Sequence, residues 1–544
     1  LIDRIEAFSH AFYLLLAGCG VGYSVQTEHV RKLPKIQRID ESHVIHWTVT
    51  DNIEGWADSV LTLVAGYVLD RRYTEFNYSR IRPEGAPLKT GGGKAPGHLP
   101  LKRLHNKLRA ILDGAIGRHL RPIECHDIMC HIAEAVLAGG IRRSSLICLF
   151  SEDDEEMFTG KAQGNFDPTP GGLNSHRAMA NNSVHLLRGD LEETTFKRIF
   201  FHSLENWGEP GFFLANERSY GTNPCGEIGL NPISDDGSTG FQFCNLCEIN
   251  MARIESLDDY LSAAKAAAFI GTLQASYTNF EYLGQITESV TRKDALLGVG
   301  MTGMMDNPRI ALDSHNQQLA SSAVISENRR VAELIGINPA RGCTTVKPSG
   351  TASLELGCVG SGIHHHHAKR YFRRITANKN EPIAQHFRAV NPHMVEDKPN
   401  GDWVITFPVK APEGAITIKD QDPIEFLDDV YKTYKNWILF GSRNDSLTHN
   451  VSCTVTLQDN DWERVFKHIW ENRFSTAALS FASVFSDKAF PYAPREAVET
   501  EADEQMWRNL IKNYTPVDYT ILHEEEDGTV SRLEVACSGG ECEI

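Results

Sequence analysis

Cys225 lies in the run Thr222-Asn223-Pro224-Cys225-Gly226-Glu227-Ile228, with an amide two residues before it and a carboxylate two residues after it. In an extended segment residues two apart share a face, so thiol, amide and carboxylate would point together. Such a face offers a sulfur able to react, an acid or base in Glu227, and a neutral hydrogen-bonding group in Asn223. A buried cysteine in a turn beside a solvated glutamate fits the same residues, so the run alone does not decide.

Cys537 and Cys542 sit on a Gly-Gly arm at the end of the sequence. Two thiols joined by a short, glycine-softened loop can form and break a disulfide without straining a fold. A zinc half-site would need two further ligands nearby, and the arm offers none. A redox shuttle fits better. Phe243-Cys244-Asn245-Leu246-Cys247 is spelled like a Cys-x-x-Cys redox motif. In a strand, however, positions three apart face opposite ways, so Cys244 and Cys247 are not expected to share a site.

The loop Pro348 to Ser353 carries hydroxyls and backbone N–H groups suited to an anion, with Ser349, Gly350, Thr351 and Ser353 as candidates. A Ser/Thr/Gly run is also simply a loop composition. Cys125-His126 and Cys130-His131 resemble metal ligands, but helix positions five apart stand about 140° apart and do not converge. No metal site is expected.

These groups need elements to hold them. Ile2, Ile5, Phe8, Phe12, Leu15 and Leu16 recur at helical spacing, and Gly18 to Val25 reads as a tight turn feeding a strand. The chain opens on Leu1 and goes straight into this helix, which suggests a fragment cut from a longer protein. A further helix is expected near Ala57 to Leu69, within a polar segment that resembles an insertion. Arg80 to Leu101, rich in Gly, Pro and Lys, has the composition of a long functional loop. A helix is expected from about His126 to Ala138, stopping at Gly139-Gly140 before an apolar strand from Ile141 to Phe150. Helices and short strands then alternate to about Val484, which favours α/β architecture with a largely parallel sheet. From Glu496 onward the sequence turns acidic and is expected to be an irregular, flexible arm.

The composition sets outer bounds. The chain has 544 residues, 41% of them apolar, and a formal net charge of −17. An acidic excess argues against coating nucleic acid, which takes clustered Lys and Arg. Ala11 to Val25 is broken by Gly18, Gly20 and Gly22 and is too short to span a bilayer, so no membrane is expected. Twelve cysteines are too sparse for a stapled secreted domain, and a reducing cytoplasm is the expected setting.

Taken together, Asn223 to Glu227, Cys244 to Leu246 and the Cys537/Cys542 arm resemble the catalytic chain of ribonucleotide reductases. The likeness extends through Phe76 to Gly85, Gly140 to Ser144 and Pro348 to Ser353, and so runs over nearly the whole chain. The resemblance implies a ten-stranded α/β barrel of the ribonucleotide reductase and glycyl radical type, with Cys225 on a central finger loop. It implies that Cys225, as a transient thiyl radical, removes the ribose 3′ hydrogen. Glu227 would take the 3′-hydroxyl proton and Asn223 would hydrogen-bond the sugar hydroxyls. Cys244 would be half of the reducing thiol pair. Its partner is expected on a strand upstream of Leu1; Cys19 matches a small-residue position in the family instead. Cys537 and Cys542 would re-reduce the pair, with thioredoxin or glutaredoxin behind them. The Ser349 loop would cradle substrate phosphates. His364 to His367, inside the chain and flanked by Ser361-Gly362-Ile363 and Arg373-Arg374, reads as a native loop at the active-site edge.

Reductases of the aerobic class relay their radical through adjacent tyrosines, and this sequence has no Tyr-Tyr pair. With Arg142-Arg143-Ser144-Ser145 and Asn181-Asn182-Ser183, that points to the adenosylcobalamin-dependent class. Residues 26–75 resemble the insertion that builds a deoxynucleotide effector site in monomeric triphosphate reductases. The reading is therefore a monomer acting on ribonucleoside triphosphates, with residues 1–500 as the catalytic barrel, 501–544 as the C-terminal region, and Ala162 to His176 connecting effector to substrate. The rivals are an aerobic-class large subunit and a thiol redox or zinc-binding protein without radical chemistry.

Overall fold

The computed structural model describes residues 1–87, 94–137, 145–206, 208–357, 360–379, 381–398, 402–443, 446–483 and 493–522. The helix Glu6–Leu16 buries Ala7, Phe8, Ala11, Phe12 and Leu15, as the apolar spacing requires. It ends at Gly18, whose φ of 88° reverses the chain into strand β1 (Val21–Ser24). The strands β2 (Asp40–Thr48) and β3 (Arg72–Asn77) follow, then β4 (Leu146–Ser151), β5 (Ala180–Leu187) and β6 (Gly211–Ala215). Next come β7 (Gly221–Thr222), β8 (Gly229–Leu230), β9 (Asn245–Asn250) and β10 (Leu297–Thr302). Last are β11 (Arg370–Ala377), β12 (Val395–Asp397), β13 (Trp403–Lys410), β14 (Thr454–Leu457), β15 (Ala478–Ser483) and β16 (Arg495–Ala497).

The main sheet runs β1-β4-β5-β6-β15-β14. Its β1, β4, β5 and β6 are mutually parallel, β15 joins β6 antiparallel, and β14 is parallel to β15. β9 and β10 form a separate parallel pair; an isolated bridge joins Val299 of β10 to Thr344, and a second joins Val346 to Val451, three residues before β14. The architecture is α/β with mixed sheets. Leu146 to Phe150 is buried at every residue, the unbroken apolar pattern of a strand covered on both faces.

The helix Pro122–Leu137 begins four residues earlier than expected, because Pro122 is well suited to a first helical position. Its expected stop at Gly139-Gly140 lies outside the described residues. The expected helix near Ala57 runs Ile53–Ala65, capped by the Asn52 side chain accepting from Gly55 N at 3.0 Å, and continues as a π-helical turn, Gly66–Asp70. β2 and β3, paired in parallel, flank it.

A four-stranded antiparallel sheet, β12-β13-β11-β16, departs from the largely parallel arrangement and carries its own small core of Phe372, Phe387, Met394, Ile405 and Leu510. Here the irregular chain expected from Glu496 is corrected: β16 and the helix Glu501–Asn513 are both formed. Glu501, Asp503 and Glu504 fall in the helix's first turn, where they face unpaired N–H groups, and Thr500 with Asp503 completes a capping box. The acidity was a helix-start signal. The Cys537/Cys542 arm lies outside the described residues.

Candidate active site

Cys225 occupies the tip of a tight hairpin. β7 and β8 pair antiparallel, Gly221 with Leu230 and Thr222 with Gly229, leaving residues 223–228 as the connection. Gly226 takes φ 75° and donates its N–H to Asn223 O at 2.9 Å, so the turn needs glycine directly after the cysteine. Asn223 Oδ1 accepts from Ile228 N at 3.0 Å, which fixes the side chain across the turn.

The tip is pinned from far along the chain. Asn450 donates its side-chain amide to Gly226 O (3.2 Å) and its N–H to Glu227 O (2.9 Å). Thr345 Oγ1 donates to Glu227 O at 2.7 Å, and the Ser452 hydroxyl to Cys225 O. His449 accepts from Gly229 N at 3.1 Å, and Arg341 donates to Gly229 O at 3.2 Å. On the other side β1 presses close: a Cβ on Gly22 would fall 1.8 Å from Thr222 O, and one on Gly20 would lie 3.0 Å from Pro224 Cγ.

The hairpin projects into a cavity of about 480 Å³. Asn223, Cys225, Cys244, Ser349, Gly350 and Thr351 line it, so most of the site expected from sequence converges. Cys19 lines it too. Glu227 does not: it is fully buried beneath the tip. Neither of its carboxylate oxygens meets a hydrogen-bond donor, although the Asn223 amide and Lys347 lie near enough to favour its charged form. Burial dominates and raises its pKa above the usual carboxylate range. Cys244 is half-exposed as a residue, yet protein surrounds its thiol closely enough to push the pKa far up, helped by the charge of Glu227. A Cβ on Gly298 would stand 3.2 Å from Cys244 Sγ, so the strand opposite must be bare for this thiol to fit. Cys247 is held apart, its Sγ 3.7 Å from Gln274 Oε1.

Ser349 is buried and precedes the short helix Gly350–Glu355. Ser353 turns inward, its hydroxyl donating to Gly350 O at 3.2 Å, and it is absent from the lining. Two residues that the motifs did not single out complete the site. Glu248 on β9 accepts from the Ser349 hydroxyl, and burial lifts its carboxyl to about 7, against the pull of Lys347. Lys347 itself lines the cavity. The signal for both was adjacency, Glu248 directly after Cys247 and Lys347 directly before Pro348.

His364 and His365 are committed to structure, the first accepting from Thr454 N (2.9 Å), the second paired with Gln421 Oε1 (2.7 Å). His366 faces Asp306 at 2.6 Å in the interior. His126 is paired with Tyr23 Oη at 2.8 Å. Among the described residues no cluster of three or more His, Cys, Asp or Glu is arranged to hold a metal ion. Among them, too, no helix is long and apolar enough to cross a membrane.

No family model matches the chain. It is 24% identical to an adenosylcobalamin-dependent ribonucleoside-triphosphate reductase of Lactobacillus acidophilus, over 99% of this chain and 80% of that protein. The reductase of the same name from Lactobacillus leichmannii is 23% identical over 99% and 80%. A probable one from Dictyostelium discoideum is 26% identical over 87% and 61%. The crystal structure of a B12-dependent, class II ribonucleotide reductase superposes with a TM-score of 0.76, at 22% identity, covering 93% of this chain and 78% of that one. Sequence likeness along almost the entire chain, on a shared fold, makes this chain a homologue of the adenosylcobalamin-dependent ribonucleotide reductases.

Proposed function

We propose that this chain reduces ribonucleoside triphosphates to 2′-deoxyribonucleotides through a thiyl radical on Cys225, supplying precursors for DNA synthesis. The observation that carries this reading is the pinned Cys225 hairpin, set in one cavity with Cys244 and the Ser349 loop. The curated relatives bear this activity in their names.

The residues divide the chemistry. Cys225 removes the 3′ hydrogen and later returns it; the strengths of S–H and ribose C–H bonds are close enough for this exchange to run both ways. Glu227, whose raised pKa makes it a ready proton acceptor and donor, takes the 3′-hydroxyl proton. Asn223 hydrogen-bonds the sugar hydroxyls while the 2′-hydroxyl leaves as water. Cys244, kept as a thiol by burial, and a second thiol supply the two electrons and close to a disulfide. Cys537 and Cys542 reopen that disulfide, and thioredoxin or glutaredoxin reduces them in turn. Ser349, Gly350 and Thr351 receive the phosphates, with Ser353 bracing their turn.

The cavity fits adenosylcobalamin in one specific respect: on the side of the first helix its wall, which also includes Ile2 and Leu14, carries the small residues Ala7, Ala11, Cys19 and Gly20 on the same cavity as a half-buried Cys225. These residues would hold the adenosyl end. When bound, that cofactor supplies carbon–cobalt homolysis, the source of the radical.

Supporting a ten-stranded barrel, the segment Thr344 to Val346 is bridged on one side to β10 and on the other to Val451 just before β14, and the cavity is lined from both the β1 and the β9 ends. Residues 26–75, with β2 and β3 paired apart from the main sheet, form the deoxynucleotide effector site of a monomer. Incubation of the chain with each ribonucleoside triphosphate, adenosylcobalamin and dithiothreitol tests the proposal: deoxynucleotide is expected, and its absence with every substrate contradicts it.

A further inference from the structure

On the small antiparallel sheet, Arg373 of β11 stands directly opposite Arg495 of β16. Like charges at cross-strand positions repel, and a sheet keeps such a pair only where something compensates. No carboxylate among the described residues does so. The contrast with the other face of the same strand is sharp. Two residues either side of Phe372, Arg370 is paired with Glu504 (2.5 Å) and Arg374 with Glu496 (2.6 Å). Arg388, on the neighbouring helix Pro382–Val390, is within 4.0 Å of Asp397. Among the described residues neither of these two facing guanidiniums has a carboxylate partner.

Their surroundings are those of a receptor. Arg373 is half-buried, and burial together with Arg495 lowers its pKa, so its charge is held at a cost. Tyr371, two residues away on the same face, is buried and packs edge-on against His367 with ring centroids 5.7 Å apart. His364, whose pKa burial lowers, is depressed a little further by the charge of Arg495. Asp306, whose charge reaches Tyr371, is engaged with His366 (2.6 Å) and with Gly360 N (2.8 Å). His364 bonds Thr454 N, two residues beyond Ser452, which holds Cys225 O, so the pair is tied through β14 to the catalytic hairpin.

We propose that Arg373 and Arg495 form a phosphate-binding subsite distinct from the Ser349 loop, in which two guanidinium forks share the oxygens of one phosphate group. Two sources offer that group: the phosphates of a nucleotide, and the phosphodiester in the nucleotide loop of a corrinoid. The second rests on the proposed function; the subsite itself does not.

Arg495 is exposed, so Arg495→Gln tests the pair without opening the core. In phosphate-free buffer the variant should melt at or above the parent, because repulsion is relieved. Inorganic phosphate, against chloride at matched ionic strength, should then raise the melting temperature of the parent more than that of Arg495→Gln or Arg373→Gln. Phosphate binding by calorimetry should weaken about tenfold. Equal phosphate-dependent shifts in parent and variants, or a variant less stable than the parent without phosphate, overturn the subsite. Titration with cobalamin against cobinamide, which lacks the nucleotide loop, and with a ribonucleoside triphosphate against its nucleoside, identifies the source. A loss in Arg495→Gln confined to cobalamin assigns the corrinoid, and one confined to the triphosphate assigns the nucleotide.

Discussion

Asn450 is bonded to Gly226 across 224 residues of sequence, its side-chain amide donating to the carbonyl beside Cys225 at 3.2 Å. The same amide donates to Ala478 O at 3.0 Å, and its Oδ1 accepts from Ala477 N at 3.0 Å, so one buried side chain ties the reactive turn to β15. Asn450→Ala strands the buried Gly226 O and Ala477 N, while Ala478 O keeps the Thr476 hydroxyl, and should cost about 2–4 kcal/mol. Urea unfolding measures that loss. Deoxynucleotide formation, assayed where the variant is still folded, should fall as well, because the Cys225 tip loses its tether; unchanged activity would separate tether from chemistry.

Gly22 should tolerate no side chain. The added Cβ would lie 1.8 Å from Thr222 O, a backbone atom that can move only with the whole hairpin. Gly22→Ala should destabilise by about 3 kcal/mol or more, whereas Gly189→Ala, with open space around it, should be nearly neutral. Thermal melts of the two variants make the comparison.

Glu248 should give stability a slope near neutral pH. Its carboxyl titrates at about 7 in the folded chain against 4.5 ordinarily, chiefly through burial. Between those values the folded state holds a proton that the unfolded state has released. The contribution is therefore complete below the lower value and is lost as pH rises through the upper one. Urea midpoints of the parent should decline more steeply from about pH 5 to 8 than those of Glu248→Gln. Parallel curves would refute the assignment.

The thiols proposed as reductants should separate by reductant. Cys244→Ser should abolish deoxynucleotide formation with any reductant, since its thiol is inside the cavity. Cys537→Ser with Cys542→Ser should retain activity with dithiothreitol and lose it with thioredoxin. Loss under both conditions would remove the arm from its shuttle role.

The closeness of amide and thiol was legible in sequence because it is local: Asn223 and Cys225 stand two residues apart and both line the cavity, and Gly226 marks the turn; the shared extended face expected to include Glu227 is not formed, because that turn buries the carboxylate beneath the tip. What positions them was not. Asn450, Thr345 and Ser452 reach the hairpin across more than a hundred residues, and only the sheet order brings them there. Glu248 carried no motif; its shifted carboxyl arises from burial on β9, where β9 pairs with β10. Arg373 and Arg495 face each other through a strand register that no spacing encodes. The helix Glu501–Asn513 was read as loose acidic chain because its acids cap a helix whose apolar side, through Leu510, joins a core assembled from distant strands.

The most direct test is a reaction on ribonucleoside triphosphate deuterated at the 3′ carbon, run with adenosylcobalamin and dithiothreitol for the parent and for Cys225→Ser. If Cys225 removes the 3′ hydrogen, the deuterated substrate turns over more slowly in the parent and Cys225→Ser yields no deoxynucleotide. Equal rates for both isotopes together with product from Cys225→Ser would contradict it.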